Sequence, residues 1–355
     1  MKVLISTGGS GGHIFPALKT GLELKRRGHE VVFAGALSMC VDKVRQEGFE
    51  AHVINAGGLT DRSPAGLFRF CAVMTGALGQ AFALVGRIRP DKVIGFGGYG
   101  SFPVLMAACL KGYPAMLHEQ NVAVGKANRI LGKFVRKVAV SFQETSTAFG
   151  SKAVWTGCPC HNRPSSKSKD NILDDLGLTK GAKIIVLLGG SQGSQFLNQT
   201  FYDAVKPLLK KGVVEAVHVT GKAESGHYQQ RYSSEDLPVA ARDFISPIED
   251  VYTVADVIIS RAGAATVSEL GCWAIQSVLV PYPYAHGHQV YNARVLERAG
   301  SAKLIEQRDL SVEVLRATME GLIEKAQDKQ EIARKNGALF VSDAAARLAD
   351  AVEVL

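Results

Sequence analysis

The chain lacks the features that mark several large classes of protein. Its six cysteines are scattered, and Cys158 and Cys160 are separated by one residue, not by the two typical of zinc knuckles and redox dithiols. We therefore expect no metal site, no disulfide framework and chemistry suited to the cytosol. No block of like charge is long enough for a nucleic-acid-binding arm, and the base-reading motifs of nucleic-acid-binding modules are missing.

Long apolar runs are also scarce. No uninterrupted stretch approaches the roughly 20 residues that a membrane-spanning helix needs, and the chain starts directly with a strand-like segment, so we expect no signal peptide. What is present is the composition of a folded protein of 355 residues, 46% hydrophobic and 21% charged. This length predicts two domains. The net charge of +8 favours an anionic surface or an anionic substrate.

Two glycine-rich turns of nearly the same sequence occur, one in each half. GGSGG (8–12) follows an apolar run at Val3–Ile5, and GGSQG (189–193) follows another at Ile184–Leu188; they start 189 − 8 = 181 residues apart. A strand that turns through glycines into a helix gathers unpaired N–H groups and a positive helix end, which suits phosphate. Because short apolar strands alternate with helices in both halves, we predict two α/β domains with doubly wound, Rossmann-like parallel sheets, facing a central cleft.

The boundary between the halves follows from composition. Residues 162–170 are polar and contain proline, as a linker would. We predict an N-terminal domain over 1–160 and a second domain over 161–335. Residues from about 326 to 355 are rich in alanine and charge, so we predict that they are helical. Because a last helix commonly packs back on the first domain in such pairs, we expect this of a C-terminal helix over 336–355.

One segment matches a dinucleotide-binding fingerprint. Gly95–Gly100 fits G-x-G-x-x-G between a strand and a helix, and Glu119 follows about 20 residues later, where an acid could hold a ribose. Its position argues against this interpretation, because the first strand–helix turn normally carries the fingerprint. In that turn Ile14 stands where the third glycine should be. A nicotinamide site stays open at this point.

Two histidine-containing segments are candidates for chemistry. His13 stands where the first glycine loop enters its helix, so a neutral imidazole there could take a proton from a hydroxyl nucleophile, or it could merely cap the loop. His118–Asn121 places four polar residues at the end of a strand. Because strand carboxyl ends face the ligand crevice of such sheets, we interpret that segment as part of a site.

The second half contains two further candidate segments. In Ser260–Glu269, Gly263 permits close backbone approach, the following helix offers N–H groups to a diphosphate, and Glu269 could accept both ribose hydroxyls. The alternative is a capped helix with a solvent-facing glutamate. In Tyr282–Gln289, His288 and Gln289 could bind a sugar, or the loop could be an ordinary polar one.

Together these segments resemble the MurG family, the bacterial peptidoglycan glycosyltransferases with the GT-B fold. The resemblance runs in order over nearly the whole chain and rests on Thr7–Ala17, Gly97–Pro103, His118–Asn121, Gly189–Gly193 with 197–199, Ser260–Glu269 and Pro281–Gln289. It implies that the G-x-G-x-x-G loop belongs to an acceptor-binding domain and not to a nicotinamide site.

The resemblance also implies a reaction. N-acetylglucosamine would pass from UDP-GlcNAc to the C4 hydroxyl of the MurNAc sugar of lipid I, with inversion, giving lipid II and UDP. The N-terminal domain would hold the lipid-linked acceptor and the C-terminal domain the donor. Alternatives are another GT-B enzyme that uses a UDP-sugar (a glycolipid synthase or a UDP-GlcNAc epimerase), a non-catalytic nucleotide-sugar binder and an NAD(P)-linked enzyme.

By the same resemblance, His13 would be the general base, with Glu119 as rival or helper. No cofactor and no metal are expected, because helix dipoles and backbone amides can stabilise the leaving UDP. Gly189–Gly193 would bind phosphate, Ile245 the uracil, Glu269 the ribose and Gln289 the GlcNAc hydroxyls. The residues expected to bind UDP-GlcNAc are Ser10, Gly11, Gly12, Asn121, Arg163, Ser191, Ile245, Ala264, Ala265, Thr266, Val267, Ser268, Glu269 and Gln289.

The chain departs from the family pattern at two places. The family usually has Gly-Asn-Pro-x-Arg at the domain junction, with the arginine reaching the donor. Here His161 holds the arginine's place and Arg163 lies two residues later. The late loop has Gly287 where an acidic residue often precedes His-Gln. Both departures bear on donor affinity and sugar choice.

A lipid-linked acceptor implies work at the cytoplasmic face of the membrane as a peripheral protein. Apolar surface framed by cations favours binding to anionic lipid. The alternative is that the apolar helix is core and the cations a solvated face. The two segments are Pro64–Val85, with Arg62, Arg69, Arg87 and Arg89 around it, and Gly125–Lys137, with Lys126, Arg129, Lys133, Arg136 and Lys137.

Overall fold

In the computed structural model the chain forms two compact α/β units. The N-terminal unit contains Met1–Cys160 and Val341–Leu355, and the C-terminal unit contains His161–Phe340. The predicted fold class, two doubly wound α/β domains built on parallel sheets, is confirmed. The structure describes residues 1–355 except Ser10, Met39, Leu59, Thr60, Arg62, Asn162, Arg163, Ser191, Gln192, Ala285, His286, Ala326 and Gln327.

The N-terminal unit is built on a seven-stranded parallel sheet of order β3-β2-β1-β4-β5-β6-β7. Its strands are β1 (Lys2–Gly8), β2 (Glu30–Ala36), β3 (Glu50–Val53), β4 (Lys92–Gly95), β5 (Ala115–Glu119), β6 (Lys137–Val140) and β7 (Ala153–Trp155). Its helices are α1 (Gly11–Arg26), α2 (Val41–Gln46), α3 (Pro64–Ile88), α4 (Gly98–Leu110) and α5 (Lys126–Phe134), followed by two 3-10 helices, Gln143–Ala148 and Gly150–Lys152.

Both faces of this sheet are covered, which explains the continuous apolar strands. Val3 and Ile5 of β1 pack with α1 and α2, whereas Leu4 between them packs with α3, α4 and α5 on the opposite face. Alternate side chains of a strand point to opposite faces, so a strand buried on both sides has no polar face. The three helices α3, α4 and α5 therefore share one face of the sheet.

The C-terminal unit repeats this plan with six parallel strands in the order β10-β9-β8-β11-β12-β13. The strands are β8 (Ile184–Leu188), β9 (Glu215–Val219), β10 (Val239–Arg242), β11 (Val257–Ser260), β12 (Gln276–Leu279) and β13 (Ala302–Leu304). The helices are α6 (Lys169–Leu176), α7 (Gln195–Lys210), α8 (Ser225–Ser233), α9 (Ile248–Val254), α10 (Ala264–Trp273), α11 (His288–Arg298), α12 (Val312–Glu324) and α13 (Lys329–Asn336), with a 3-10 helix at Gln307–Asp309.

The last helix, α14 (Ala344–Glu353), packs in the N-terminal unit against α1. Leu348 and Val352 are fully buried in the core shared with α1, and Arg27 of that region binds Asp350 at 2.6 Å and Glu353 at 3.0 Å. The stretch that the sequence assigned to one C-terminal helix from residue 336 is divided, because α13 ends at Asn336 and the C-terminal unit extends to Phe340.

Helix α3 is largely exposed over its first half. By length and composition alone this 25-residue helix could cross a membrane, although Arg69 and Arg87 interrupt it, and only 22% of its most apolar window is buried. Its buried residues are confined to the second half and anchor it on the sheet: Ala77, Ala81, Leu84 and Val85. Apolar spacing alone predicts a helix over Leu67–Ile88. The helix begins instead at Pro64, because Ser63 accepts a hydrogen bond from Gly66 N and Pro64 suits the first turn.

The strand order positions a site in each unit. β1 lies between β2 and β4, and β8 between β9 and β11, so each first strand sits where the order reverses. Ligands of open α/β sheets bind at the carboxyl ends of the strands beside such a switch point. Both glycine-rich turns leave β1 and β8 at this place.

Candidate active site

His13 lies at the switch point of the N-terminal unit, in the first turn of α1. The next loop along the sheet comes close to its ring: a Cβ atom built on Gly98 would lie 3.2 Å from His13 Nε2, and Gly98 has φ of +73°, a conformation that suits glycine. Its backbone therefore packs beside the imidazole. This packing gives the G-x-G-x-x-G segment a role unrelated to nicotinamide binding.

A chain of hydrogen bonds joins His13 to the end of β5. His13 Nδ1 lies 3.2 Å from Gln120 Oε1, and Gln120 Nε2 lies 2.8 Å from the Phe96 carbonyl oxygen and 3.1 Å from His118 Nδ1. His118 Nε2 lies 3.1 Å from the Gly157 carbonyl oxygen. Both His118 and Gln120 are buried, so the position of His13 depends on a network shielded from water.

Burial keeps these two histidines neutral. It lowers the pKa of His13 below its usual range, and Glu119, Gln120 and the Phe96 carbonyl oppose that shift. Burial also lowers the pKa of His118 to about 4. At neutral pH both rings therefore carry one proton and one lone pair, which is the state a general base requires.

Glu119 serves a different purpose. It is 1% exposed, and its carboxylate accepts hydrogen bonds from Asn121 N at 2.9 Å, Gly125 N at 3.2 Å and Asn128 Nδ2 at 2.7 Å. Asn128 Oδ1 in turn accepts from Gly98 N at 3.2 Å. Glu119 thus ties together the two loops around His13, and its oxygens are already engaged.

In the C-terminal unit the last residue of the second glycine turn, Gly193, packs against the end of β9. A Cβ atom on Gly193 would lie 2.5 Å from the Thr220 carbonyl oxygen, and Gly193 has φ of +75°, so only glycine fits. Asn198 donates to the same Thr220 carbonyl at 2.9 Å. Gly193 therefore lies close to the Thr220 backbone at the end of β9, just before α7.

Helix α10 presents a second N-terminus in this unit. It begins at Ala264 after Gly263, which supplies no capping side chain, so the first N–H groups of α10 have no partner within the helix. Glu269 is 9% exposed, accepts from Tyr252 Oη at 2.7 Å and from His161 N at 3.2 Å, and burial raises its pKa. The structure thus places Glu269 inside the unit, not on a solvent-facing side of the helix.

Gln289 and Arg261 complete this end of the sheet. Gln289 Oε1 accepts from Ala262 N at 3.1 Å and Tyr282 N at 2.9 Å. The NH₂ group of the same amide therefore points away from these two N–H groups and can act as a donor. Arg261 donates to the carbonyl oxygens of Val280 and Pro281 and to Ser194 Oγ. The arginine brings a fixed cation to the glycine turn at α7.

The chain matches glycosyltransferase family 28 in both halves, the N-terminal domain model over residues 3–140 and the C-terminal domain model over residues 184–348. A relative from Thermoanaerobacter sp. (strain X514) is 35% identical over 92% of each chain, and one from Myxococcus xanthus is 34% identical over 99% of this chain and 92% of its own. Both are named UDP-N-acetylglucosamine–N-acetylmuramyl-(pentapeptide) pyrophosphoryl-undecaprenol N-acetylglucosamine transferase. The chain belongs to the MurG family.

Solved structures agree with this membership. MurG of Acinetobacter baumannii is 28% identical, with a TM-score of 0.77 over 100% of this chain and 99% of its own. A structure of a Listeria monocytogenes protein described as a putative UDP-N-acetylglucosamine 2-epimerase has a TM-score of 0.72 at 12% identity, which shows a shared fold alone. The predicted family and the predicted enzyme class, a glycosyltransferase, are confirmed.

The residues predicted from the MurG resemblance fall into two groups, one in each unit. Gly11, Gly12, His13, Glu119 and Asn121 lie at the carboxyl end of the N-terminal sheet. Ile245 follows β10, Gln289 lies in the first turn of α11, and Ala264, Ala265, Thr266, Val267, Ser268 and Glu269 form the first six residues of α10. Ser10, Arg163 and Ser191 lie outside the described residues.

Three residues of the site were not assigned roles from the sequence. Gln120 lies within His118–Asn121, Arg261 within Ser260–Glu269, and Asn128 within Gly125–Lys137, a segment that the sequence linked only to the membrane. A signal for Asn128 exists: it is a polar residue on the apolar side of α5, beside Ala127 and Leu131, and it is 3% exposed. Buried polar groups need partners, so such a residue points to a fixed polar network.

The two departures from the MurG pattern have structural counterparts. His161 Nδ1 lies 2.8 Å from Glu249 Oε1, and the His161 carbonyl accepts from Trp273 Nε1 at 2.7 Å. The residue in the arginine's place is therefore bound within the C-terminal unit. Gly287 precedes α11 with φ of +68°, which an acidic residue would adopt only with strain. Among the described residues no group of three or more His, Cys, Asp or Glu side chains could hold a metal ion.

Proposed function

We propose that the chain transfers N-acetylglucosamine from UDP-GlcNAc to the C4 hydroxyl of MurNAc in lipid I, giving lipid II and UDP. The observation that carries the proposal is the likeness, over 92% of both chains, to a relative whose name states this transfer. The location of His13 and of the two helix N-termini at strand carboxyl ends supports it. In this proposal the N-terminal unit binds the acceptor and the C-terminal unit the donor.

The proposed chemistry is one displacement. The acceptor C4 oxygen forms a bond to the anomeric carbon, the bond from that carbon to the UDP oxygen breaks, and UDP leaves with the electron pair. His13 takes the hydroxyl proton as general base. A single attack from the face opposite UDP inverts the anomeric centre. We assign the base to His13 over Glu119, because the Glu119 carboxylate is buried and already accepts several hydrogen bonds.

The donor contacts follow from the polar groups of the C-terminal unit. The N–H groups at the start of α10 and the glycine turn with Ser191 would hold the diphosphate. Gln289 would donate its NH₂ group to sugar oxygens, since its Oε1 is held by two backbone N–H groups. Ile245 would meet the uracil and Glu269 the ribose. Ser10, Gly11, Gly12, Asn121 and Arg163 would also contact UDP-GlcNAc.

We further propose peripheral binding of the N-terminal unit to an anionic membrane at its cytoplasmic face. The first half of α3 contains no buried residue, and it exposes Leu67 (49%), Phe68 (78%) and Val73 (42%). Helix α5, on the same face of the sheet, exposes Ile130 (49%) and Phe134 (55%). Apolar side chains next to cations are typical of interfacial helices. The cations on and beside α5 are Lys126, Arg129, Lys133, Arg136 and Lys137.

The deciding experiment is release of UDP from UDP-GlcNAc with and without a short-chain lipid I analogue. Release that depends on the analogue, with a disaccharide product, is the expected result. UDP-GlcNAc binding without acceptor-dependent release would overturn the acceptor assignment. Conversion of UDP-GlcNAc without acceptor would instead indicate an epimerase, the second candidate from the sequence.

A further inference from the structure

The Gln120 amide lies among three groups, the Phe96 carbonyl oxygen, His118 Nδ1 and His13 Nδ1. Because the Phe96 carbonyl oxygen only accepts, the atom 2.8 Å away must be the NH₂ nitrogen of Gln120, which sets the orientation of the amide. The second N–H of that nitrogen points to His118 Nδ1 at 3.1 Å. His118 therefore accepts at Nδ1 and donates from Nε2 to the Gly157 carbonyl at 3.1 Å. The directions of these hydrogen bonds are mutually consistent.

One bond of the network remains, and its direction is now determined. Gln120 Oε1 lies 3.2 Å from His13 Nδ1 and can only accept, so His13 Nδ1 carries the proton. A neutral imidazole has a single N–H, so its other nitrogen, Nε2, holds the lone pair. Nε2 is the ring nitrogen that faces the Gly98 backbone.

We propose that Gln120 is a positioning residue that holds His13 in the tautomer with its proton on Nδ1 and its lone pair on Nε2. This inference rests on the proposed function, in which that lone pair takes the proton of the acceptor hydroxyl. Without the Gln120 oxygen the imidazole would be divided between two tautomers, and the one protonated on Nε2 has no lone pair for the substrate. His118 acts one step further away, because it fixes the amide, whereas the Phe96 carbonyl both fixes the amide and faces the His13 ring.

The direct test reads the tautomer of His13 by ¹⁵N NMR of the imidazole rings at neutral pH. The His13→Ala variant identifies the His13 signals among the nine histidines. The expected result is an Nδ1–H tautomer in the unmodified enzyme and loss of that preference in Gln120→Met. A proton on Nε2 in the unmodified enzyme, or the same tautomer in Gln120→Met, would overturn the proposal.

Gln120→Glu provides a conservative variant for the case in which Gln120→Met fails to fold. Its carboxyl group would face the Phe96 carbonyl oxygen, to which Gln120 donates at 2.8 Å, so we expect that group to keep a proton and donate there. The other carboxyl oxygen still accepts from His13 Nδ1, so the tautomer should remain. A proton on Nε2 of His13 in Gln120→Glu would contradict contact between residue 120 and His13.

Kinetics separate positioning from a merely structural role. Gln120→Met should lower kcat about tenfold or more with an unchanged KM for UDP-GlcNAc, and Gln120→Glu should restore part of the loss. On the His13→Ala background Gln120→Met should cause no further loss, because both changes remove the same base. Additive losses would contradict the proposal. Gln46→Met, at the exposed end of α2, is the matched control.

The two proposals fail in different ways. If His13→Ala keeps its turnover, His13 is not the base and the proposed mechanism fails, whatever the NMR spectrum shows. If His13→Ala loses turnover but Gln120→Met keeps both its tautomer and its turnover, only the role of Gln120 fails.

Discussion

Residue by residue, the two candidate bases differ in what already surrounds them. His13 is partly exposed and uses one ring nitrogen within the network, whereas Glu119 is 1% exposed with both oxygens bound to donors. A base must give its lone pair to the substrate. Each Glu119 oxygen already accepts two hydrogen bonds, because Asn121 Nδ2 also donates to Oε1 at 3.4 Å. A carboxylate has about four acceptor sites, so Glu119 would have to release a loop contact, and His13 would not.

His13→Ala should therefore lower kcat by about 10²–10⁴-fold, the usual contribution of a general base. Donor affinity should change little, because the diphosphate and uracil contacts are proposed for the other unit. Turnover measured with a lipid I analogue and calorimetric titration with UDP-GlcNAc check the two parts separately. Unchanged turnover would remove His13 from the mechanism.

The proposed contact of Glu269 with ribose must be added to existing hydrogen bonds, because its oxygens already accept from Tyr252 and from the His161 backbone. A carboxylate oxygen can accept more than one hydrogen bond, so a ribose hydroxyl can be added. If it is, Glu269→Gln should weaken UDP-GlcNAc binding by about tenfold, which corresponds to about 1.4 kcal/mol for a charge-assisted bond. Calorimetric titration measures this change.

The control for that prediction is Tyr252→Phe, which removes a partner of Glu269 and leaves the carboxylate in place. If Tyr252→Phe weakens donor binding as much as Glu269→Gln, the effect comes from local structure. If neither variant changes the affinity, the ribose assignment is wrong.

Individual residues were partly predictable from the sequence. His13 and Glu119 could be singled out, because each stands next to a glycine turn or at a strand end. The different roles of these two residues could not be predicted. They depend on Asn128 in α5, which binds Glu119, and on Gln120 in the loop after β5, which contacts His13. The His13–Gln120 contact joins residues 107 apart and the Glu119–Asn128 contact residues nine apart, and spacing along the sequence encodes neither.

Among the elements, the strands and the glycine turns were the most predictable. Val3–Ile5 and Ile184–Leu188 are continuous apolar runs, and such runs are typical of strands buried on both faces. Helix ends were less predictable, as the Ser63 cap of α3 and the division between α13 and α14 show. The pattern also did not show that the first half of α3 is exposed, because exposed and buried apolar helices have similar sequences.

The exposed half of α3 gives a prediction for this element. Phe68→Glu should weaken cosedimentation with phosphatidylglycerol vesicles about 10- to 100-fold, because burial of an aromatic side chain contributes about 1.5–3 kcal/mol and each 1.4 kcal/mol is a factor of ten. Turnover with a water-soluble acceptor analogue should not change, since residue 68 is placed in no part of the active site.

Val213→Glu is the matched control for this experiment. Val213 is 49% exposed and lies in the C-terminal unit between α7 and β9. The Val213→Glu variant adds the same charge at an exposed apolar position, and it should leave vesicle binding nearly unchanged. Equal loss in both variants would mean that net charge, not the α3 surface, governs the binding.

At the scale of the whole molecule, each unit contains a buried histidine that must be neutral in the folded state. His118 has a pKa lowered to about 4 by burial in the N-terminal unit. His218 has a pKa lowered to about 3 in the C-terminal unit, where it lies 2.9 Å from Tyr232 Oη and 3.2 Å from Asn198 Oδ1. Both polar networks are therefore coupled to the pH dependence of stability.

The sign of that dependence follows from proton uptake on unfolding. The ordinary histidine pKa is 6.5, so below that pH the unfolded chain binds protons that the folded chain does not, and the free energy of unfolding falls as the pH is lowered. Between pH 6.5 and pH 5 each histidine contributes a loss of at most about 2 kcal/mol. Glu23 and Glu235, with pKa values lowered to about 2, destabilise the fold on protonation only at more acidic pH.

We therefore expect a lower midpoint of urea unfolding at pH 5 than at pH 7.5. Glu269 acts in the opposite direction, because burial raises its pKa and the folded state keeps its proton to higher pH. The comparison is clearest in the Glu269→Gln background, because this variant lacks the carboxyl group that opposes the effect of the histidines. Of His118, His218 and residue 269, only the two histidines then bind protons on unfolding between pH 7.5 and pH 5. His218→Phe should make the free energy of unfolding of the C-terminal unit less dependent on pH. It should leave the pH dependence of the N-terminal unit unchanged. An equal or higher midpoint at pH 5 would show that His118 and His218 are not held neutral by the fold.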